Sequence, residues 1–448
     1  MSFAIKTLLH DRAQALIQLE TEPGLGCTDP AAIGLSAAAA AALLPSKDFD
    51  SIKVTMDPNL YKNAMGVIIP GTAGAGGIGL AAALGAVAGD PNLKLQVFST
   101  VDAAVLEQAQ QLLTTGKVST AILEGQVGLY VQTVICAARH KAAATITGQH
   151  DHIVSLTLDG QSQENHPLLR RAAEPDQSIA ELERWLISLS LDEMVGLLDG
   201  LDPDDLAYIQ QGIEMNQVLA AYGREHGPGL GVGQALERLV HQGVIHRDLA
   251  VEAGILTAAA IDARMAGITL PAMTLAGSGN LGLAASLPLV AASNFTGDGD
   301  RPRLLRAVTL SYLVACYITA RIGRLSALCS SSVAGGAGVA AGVTYLRSGT
   351  VEQIGGGITN HLATVATIIC DGAKTGCALK VSGAVMAAVR NALLALAGTV
   401  VRAQEGFIGA TAEATIRHLV KLCREGLAPM DTALLNIMLH LQLDKKIS

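Results

Sequence analysis

Ser51-Ile-Lys-Val-Thr-Met-Asp57 marks a change of pattern in this chain of 448 residues. Apolar and polar side chains alternate through it, which predicts a half-buried β-strand. This order of segments predicts a compact α/β unit with a mixed sheet, in which helical crossovers come first and a β-meander follows from residue 119. The other predicted elements of the unit are strands at 94–98, 119–123, 130–137, 143–147 and 153–158, and helices at 74–88 and 103–113.

On both sides of this unit the chain is predicted to be helical. Residues 3–20 form one helix, and an alanine-rich helix follows up to about residue 44. The polar stretch 161–177 is the expected linker, and almost everything after it is helical, punctuated by Gly and Pro. The predicted fold class is α+β, with a large all-helical domain and an inserted or adjacent α/β domain. The expected boundaries are 1–48 for N-terminal helices that pack with the helical domain, 49–160 for the α/β domain and 178–448 for the helical domain.

The composition argues against two kinds of partner. A net charge of −8 without any basic run disfavours nucleic acid, because phosphate binding needs a basic face. The mean hydropathy of +0.40 raises the question of a membrane. However, the apolar stretches 281–293, 307–320 and 391–401 are each shorter than the roughly 20 residues of a spanning helix, so they are expected to be core helices. An odd number of cysteines and the lack of a signal-peptide pattern predict a reducing, cytoplasmic location.

Three cysteines of the C-terminal half form the main chemical motif. Cys329 lies in Leu-Cys-Ser-Ser-Ser, and Cys370 and Cys377 bound the loop Cys-Asp-Gly-Ala-Lys-Thr-Gly-Cys, whose glycines permit a tight turn. Three thiolates leave one metal coordination position open, which is what metal catalysis needs. The alternative is that these thiols are buried small hydrophobic groups, as free cysteines often are. Their spacing matches no common ferredoxin or zinc-finger pattern.

Two other loops carry candidate functional residues. Cys27 precedes a predicted helix whose dipole favours a thiolate, so it could be a nucleophile, a base or a fourth ligand, or else a buried cysteine of a tight turn. Ser278, Gly279 and Asn280 lie in a glycine-rich loop of a type that binds carboxylates or phosphates. This loop follows no clear strand, which disfavours a dinucleotide-binding fold.

Several other polar residues are weaker candidates. Lys62, Asn63 and Arg264 each offer a cation or an amide that could hold a carboxylate, although ordinary surface residues look the same. His150 and its neighbours lie near the predicted meander and are expected in solvated positions. No Ser–His–Asp set and no HExxH motif occurs in the sequence.

Taken together, these motifs resemble a known family, the iron–sulfur L-cysteine desulfidases, which is related to the α-chain of bacterial iron–sulfur L-serine dehydratases. The blocks that carry the resemblance run from about residue 20 to 385 and cover most of the chain. The short spacing between Cys370 and Cys377 fits the desulfidase branch. The blocks are GLGCTDPAAIGLSAA, NLYKNAMGVIIPGT, DARMAGITLPAM followed by GSGN, RLSALCSSSVAGGAGVAAG and CDGAKTGCALKVS.

The resemblance implies a 4Fe-4S cluster held by Cys329, Cys370 and Cys377 in the helical domain, and no pyridoxal phosphate. It implies that Cys27 is a catalytic thiol or a displaceable fourth ligand. The expected reaction is β-elimination on L-cysteine, giving pyruvate, ammonia and sulfide. The alternatives are the same chemistry on L-serine or another β-substituted amino acid, or a non-catalytic iron–sulfur redox or thiol sensor.

A small amino acid is therefore the expected partner. Its carboxylate would be held by Ser278, Gly279 and Asn280 first, supplemented by the three weaker candidates named above. Large helical bodies rich in small residues often dimerise, so a homodimer is among the expected assemblies.

Overall fold

The computed structural model describes residues 3–169, 178–297 and 299–447, and it has the predicted α+β class. A six-stranded mixed sheet lies beside a large helical body. The strands are β1 (Pro23–Leu25), β2 (Ser51–Met56), β3 (Val118–Ile122), β4 (Tyr130–Ala137), β5 (His140–Thr147), β6 (Ile153–Leu158), β7 (Gln161–Ser162) and β8 (Pro271–Met273). The helices are α1 (Phe3–Glu20), α2 (Thr28–Ala42), α3 (Pro58–Ala64), α4 (Ile78–Ala88), α5 (Ala103–Thr114), α6 (Ile179–Ser188), α7 (Leu191–Leu197), α8 (Pro203–His226), α9 (Val232–His241), α10 (Leu249–Met265), α11 (Gly279–Thr296), α12 (Arg301–Ile322), α13 (Ser330–Leu346), α14 (Val351–Val365), α15 (Cys377–Leu396), α16 (Ala412–Lys421) and α17 (Ala428–Ile447).

The six-stranded sheet has the order β3-β2-β4-β5-β6-β7. β2 and β3 are parallel and are connected through α3, α4 and α5, whereas the other neighbours in the sheet are antiparallel. The side chains of β4 alternate between buried and half-buried, as expected where one face of a sheet packs on a core. The predicted mixed sheet, with helical crossovers followed by a meander, is confirmed.

Helix α2 covers the sheet and is itself packed against α4. Its alanine-rich sequence is almost entirely buried. The two helices approach so closely that a Cβ on Gly85 would lie 2.1 Å from the carbonyl oxygen of Gly34. At the start of α2, Cys27 packs with apolar side chains of α10, α11 and α15, so this helix begins where the sheet meets the helical body.

The helical body is organised around α13, which packs against α11, α12, α14 and α15. This helix has no charged residue and is made largely of Gly, Ala, Ser and Val. The small residues allow close approach, since a Cβ on Gly338 would lie 2.4 Å from the carbonyl oxygen of Ser311. The expectation of a helical body built from small side chains is therefore confirmed.

One predicted strand is wrong, because residues 94–98 do not join the sheet. Pro91–Gln96 form a 3₁₀ segment that begins at Asp90, whose carboxylate accepts a hydrogen bond of 2.9 Å from the backbone N–H of Asn92. Leu95 is buried in the same core as α2, against which the segment packs. The apolar alternation here reflects burial against a helix and not strand pairing.

The predicted helices on either side of the cysteine loop have different ends. The sequence pattern predicts helices at 351–369 and 381–399, but the first stops at Val365 and the second already begins at Cys377. The cause is a tertiary contact: Leu328 and Ile369 form an antiparallel β-bridge, which holds residues 368–370 in an extended conformation. Periodicity within one segment cannot reveal such a partner.

The predicted linker is only partly described by the structure. Gln161–Ser162 extend the sheet as β7, while residues 170–177 lie outside the described residues. The domain boundaries 1–48, 49–160 and 178–448 stay a prediction.

Two helices among the described residues are long and apolar enough to cross a membrane by length and composition, α12 and α15. They extend beyond the short apolar stretches seen in the sequence. In their most apolar windows, 83% of α12 and 50% of α15 is buried within the protein, which fits core helices.

Candidate functional site

Four helices point their N-termini at one cavity between the sheet domain and the helical body. α2 follows Cys27, α11 follows Ser278, α13 follows Cys329, and α15 begins with Cys377. The unpaired N–H groups of a helix N-terminus favour negative charge, so four together make a site suited to anions. The cavity is lined by Cys27, Thr28, Asp29, Asn63, His150, Arg264, Gly277, Ser278, Asn280, Arg324, Leu325, Ser326, Leu328, Cys329, Ser330, Ser331, Cys370, Gly372, Ala373 and Cys377.

The pairing of β1 with β8 brings two distant loops to this cavity. The register places Pro23 opposite Met273, so the loop after β1 and the loop after β8 lie side by side. The first loop ends at Cys27 and the second at Ser278. Residues about 250 positions apart in sequence thus meet at the same place.

The three cysteines of the predicted metal set all line the cavity. The backbone N–H of Cys329 donates to Ile368 O (2.9 Å) and that of Cys370 donates to Ala327 O (2.8 Å), which sets the two thiols on neighbouring extended segments. The chain turns at Gly372, whose φ of +86° favours glycine, and then leads to the third cysteine, Cys377.

The three thiols are free and electrostatically coupled. Burial raises the pKa of each one, that of Cys370 to about 11, and the charge of a neighbouring thiol raises each pKa further. Cys329 accepts a hydrogen bond from Ser332 Oγ at 3.3 Å, and the Sγ of Cys377 lies 3.8 Å from Gly372 O. Half-buried free thiols that line one cavity and have few hydrogen-bond partners are candidate ligands of a common centre.

Three cysteine thiols are a donor set that iron–sulfur clusters as well as single metal ions use. Among the described residues, no three His, Cys, Asp or Glu side chains surround one point closely enough to hold a metal ion. Thiolates on a 4Fe-4S cluster bind different iron atoms and therefore stand further apart than around one ion. Three thiols that line one cavity near helix N-termini are a donor set that could hold such a cluster.

Arg264, near the end of α10, is the buried cation of the site. Only 3% of it is exposed, and burial lowers its pKa. Its Nη1 donates to Asn280 Oδ1 (2.9 Å), whereas Nε and Nη2 have no hydrogen-bond partner among the described residues. Buried guanidinium nitrogens without partners are unfavourable, so Nε and Nη2 indicate an anionic ligand in the cavity.

Gly279 leaves the space that this guanidinium occupies. A Cβ there would lie 2.3 Å from Arg264 Nε. The loop 278–280 therefore brings Ser278 and Asn280 to the cavity, while Gly279 makes room for the arginine. The sequence predicted that Ser278, Gly279 and Asn280 hold a carboxylate with Arg264 as a supplement, and in the structure Arg264 lies directly against this loop.

Asp29 lies in the first turn of α2 and faces three side chains. Its Oδ2 accepts a hydrogen bond of 3.4 Å from the Cys27 thiol, and its Oδ1 lies 3.4 Å from His150 Nε2 and 3.5 Å from Asn63 Nδ2. Burial alone would raise the pKa of Asp29, but hydrogen bonding and the charge of His150 outweigh it and hold that pKa below its usual value. Burial and then the charge of Asp29 raise the pKa of Cys27, which favours its thiol form.

His150 was expected in a solvated position, and this prediction is wrong. It lies in the turn between β5 and β6, only 4% exposed, and lines the cavity. Its Nδ1 has no hydrogen-bond partner among the described residues and faces Gly277, where a Cβ would lie 2.6 Å away. The sequence carried no signal for this residue, because a turn of a meander is normally exposed and only domain packing buries it.

Lys62 does not reach the cavity, whereas its neighbour Asn63 does. Lys62 is 1% exposed, and its Nζ pairs with Asp431 Oδ1 of α17 at 2.7 Å. It joins α3 to the C-terminal helix and does not line the cavity with the other candidate residues. Sequence reasoning also missed Arg324, which lines the cavity and is bound by Glu20 and Glu183.

Comparison with known proteins places these features in a family. Residues 188–436 match the family described as serine dehydratase alpha chain. UPF0597 proteins of Desulfatibacillum aliphaticivorans and Desulfotalea psychrophila are 44% and 43% identical, over 99% and 98% of both chains. A UPF0597 protein of Geobacter sulfurreducens is 36% identical over 97% of this chain and 98% of its own. The family match contains the three cysteines and Arg264, and the full-length similarity also covers the region of Asp29 and His150.

Proposed function

The chain belongs to the serine dehydratase alpha chain family and to the UPF0597 proteins, and on this basis we propose that it is an iron–sulfur-dependent lyase that acts on L-cysteine. The relation to serine dehydratase alpha chains that the motifs suggested is confirmed by these matches. The proposed reaction removes the α-proton and the β-thiolate of L-cysteine, giving aminoacrylate and sulfide. Aminoacrylate and water then give pyruvate and ammonia.

One observation carries the proposal: a buried arginine, two of whose nitrogens have no partner among the described residues, shares a cavity with three free thiols. The thiols supply the donor set for a cluster, and the guanidinium supplies the site for a carboxylate. A redox or thiol sensor would need only the first of these. The two nitrogens of Arg264 that remain available to a carboxylate therefore favour a lyase over a sensor.

Cys329, Cys370 and Cys377 would hold a 4Fe-4S cluster. When bound, it would supply an open iron that acts as a Lewis acid toward the β-substituent of the substrate. The helix N-termini of α13 and α15 lie at these thiolates and stabilise their negative charge. The chemistry needs no pyridoxal phosphate.

Arg264 binds the substrate carboxylate with its Nε and Nη2 groups, oriented by the bond from Nη1 to Asn280. Ser278 lies beside it at the start of α11. The N–H groups at this helix N-terminus add to the attraction for a carboxylate. The substrate is thereby held with its Cα next to the loop 277–280.

His150 is the group best placed to remove the α-proton. Its Nδ1 faces Gly277 in that same loop and has no partner among the described residues, while Nε2 is oriented by Asp29. A base has to lie within hydrogen-bond reach of the proton that it takes. Cys27, which donates to Asp29 as a thiol, is the group proposed to return a proton to Cβ of aminoacrylate.

L-Serine is the second candidate substrate, and the name of the matched family favours it. It would bind through the same carboxylate and differ only in its leaving group, hydroxide in place of thiolate. A reducing, cytoplasmic location is proposed for either reaction, since an open iron site and free thiols require it.

The test is anaerobic iron–sulfur reconstitution, followed by assays of sulfide and pyruvate with L-cysteine and L-serine side by side. Equal amounts of sulfide and pyruvate from cysteine, lost on exposure to air, would support the proposal. Pyruvate from serine alone would move the assignment to a dehydratase. A stable cluster without product from either amino acid would contradict both.

A further inference from the structure

Asp29 is a buried carboxylate that makes only long contacts with its nitrogen partners. The His150 Nε2 and Asn63 Nδ2 atoms lie 3.4 and 3.5 Å from its Oδ1, longer than the roughly 2.7–3.2 Å of a good N–H···O bond. Its Oδ2 is met only by the weak S–H donor of Cys27 among the described hydrogen bonds. A buried carboxylate held this loosely would gain strongly from a nearby cation.

The charges of the cavity are otherwise satisfied by the protein. Arg324 is bound by both carboxylate oxygens of Glu20, at 2.8 and 2.7 Å, and by Glu183 at 2.9 Å. Among the described residues that line the cavity, Asp29 is the only acidic one. Arg264, with two nitrogens that no described residue satisfies, and Asp29, whose contacts are all 3.4–3.5 Å long, are the two charges that can take a ligand.

Asp29 and Arg264 both reach the loop 277–279. Asp29 Oδ1 lies 3.4 Å from His150 Nε2, and a Cβ on Gly277 would lie 2.6 Å from His150 Nδ1. A Cβ on Gly279 would lie 2.3 Å from Arg264 Nε, and both charged groups line the same cavity. In an α-amino acid the ammonium and the carboxylate are joined through one carbon atom, so one such ligand in this cavity can contact both groups.

We propose that Asp29 binds the α-ammonium group of the substrate while Arg264 binds its α-carboxylate, so that Asp29 decides which compounds enter the site. This inference rests on the proposed function and deepens it. The cavity accepts free, zwitterionic α-amino acids and rejects N-acylated and decarboxylated analogues. A second substrate carboxylate finds no open arginine, because Arg324 is already paired.

Holding both groups also sets the stereochemistry. With the ammonium at α2 and the carboxylate at α11, Cα has only two substituents left to place. One hydrogen has to face His150 Nδ1 and the β-carbon has to face the cysteines. Only one enantiomer satisfies both conditions, since exchanging the two substituents would turn the α-proton away from the histidine.

The inference is tested by calorimetric binding to the reconstituted full chain with four unreactive probes. L-Alanine carries both charges, propionate lacks the ammonium, ethylamine lacks the carboxylate, and N-acetyl-L-alanine has a blocked amine. None has a β-leaving group, so binding is measured without turnover. L-Alanine should bind at least about tenfold more tightly than any of the others.

The decisive variant is Asp29→Asn, with Asp48→Asn as the matched control because Asp48 is exposed and does not line the cavity. Asp29→Asn should weaken L-alanine binding about 10- to 100-fold, as expected for one hydrogen-bonded charge pair, and change propionate binding less than about twofold. Asp48→Asn should match the wild type with every probe.

Three results would overturn the inference: equal loss of alanine and propionate binding in Asp29→Asn, N-acetyl-L-alanine binding as tightly as L-alanine, or no binding of L-alanine to the wild type. The outcome is separable from that of the proposed reaction. If the probes bind as expected but neither cysteine nor serine gives product, the assignment of Asp29 holds and the lyase proposal fails. If Asp29→Asn releases sulfide from cysteine with the KM of the wild type, the lyase proposal holds and the assignment of Asp29 fails.

Discussion

Gly279 and Arg264 share one small space: a Cβ on Gly279 would lie 2.3 Å from the Nε atom of the arginine. The guanidinium can point into the cavity only because this first residue of α11 has no side chain. A substitution of Gly279 therefore tests the carboxylate site without removing any charged group.

We predict that Gly279→Ala displaces Arg264 and raises KM for the amino acid at least about tenfold, as expected when one charged hydrogen-bonding group is lost. Iron content should stay unchanged, because the three cysteines are not touched. The matched control is Gly383→Ala on α15, where a Cβ would meet nothing within 4 Å. It should keep KM and gain up to about 1 kcal/mol of stability from helix propensity. Identical kinetics in the two variants would argue against the carboxylate site.

We predict that His150→Gln lowers kcat by about 10²- to 10⁴-fold, the usual contribution of a general base. Its visible absorption and iron content should equal those of the wild type. His140→Gln is the control, since His140 pairs with Asp159 at 2.8 Å on the surface and lies outside the cavity. An almost active His150→Gln enzyme would assign proton abstraction to another group.

The cysteines should separate into two classes. Cys329→Ser, Cys370→Ser and Cys377→Ser should each abolish the cluster and the activity together, because each thiol is expected to hold one iron atom. Cys27→Ser should keep the cluster and lose most turnover. Cys136 lies outside the cavity, so Cys136→Ser is the control for any effect that a cysteine substitution has on reconstitution in general. Iron and sulfide analysis with the absorption spectrum distinguishes the classes, and Cys27→Ser protein as poor in iron as Cys329→Ser protein would contradict the catalytic role.

Asp262 predicts a pH dependence of stability. Burial raises its pKa to about 6, although its Oδ2 accepts a 3.0 Å hydrogen bond from the Gly233 N–H at the start of α9. A raised carboxyl pKa means that the folded state holds the proton more tightly than the unfolded state. Stability therefore falls as pH rises from about 4 to 6 and is level above that range.

Between pH 5 and 7.5, the wild type should lose about 1 kcal/mol of unfolding free energy relative to Asp262→Asn, which cannot titrate. Anaerobic urea unfolding at the two pH values measures this difference. Asp48→Asn should follow the wild type at both. Parallel behaviour of Asp262→Asn and the wild type would show that Asp262 keeps an ordinary pKa.

Short-range patterns were enough for much of the fold and for the metal donors. The alternation at 51–57 corresponds to β2, and Asp57 ends it by accepting hydrogen bonds from Asn59 and Leu60 at the start of α3. The cysteine loop contains its own turn, so two of three expected ligands could be read from one segment. The strand predicted at 94–98 failed because alternating burial looks alike whether a helix or a sheet covers it.

The charged residues of the site could not be ranked from sequence. Lys62 and Arg264 had equal standing there, each as a cation that could hold a carboxylate. Packing alone separates them, since Lys62 pairs with Asp431 and no described residue satisfies the Nε of Arg264. His150 had no pattern at all, because its burial comes from the contact of one domain with another.

The sequence by itself determined the α+β class, the mixed sheet, the helical body of small residues and the three thiols. These follow from local periodicity, turn chemistry and residue type, which act over a few positions. Only the tertiary structure decided that Cys27, Asp29, His150 and Arg264 share one cavity, and which of them keep unsatisfied atoms there. Burial and hydrogen-bond pairing are properties of distant contacts, such as β1 with β8, and no segment contains them alone.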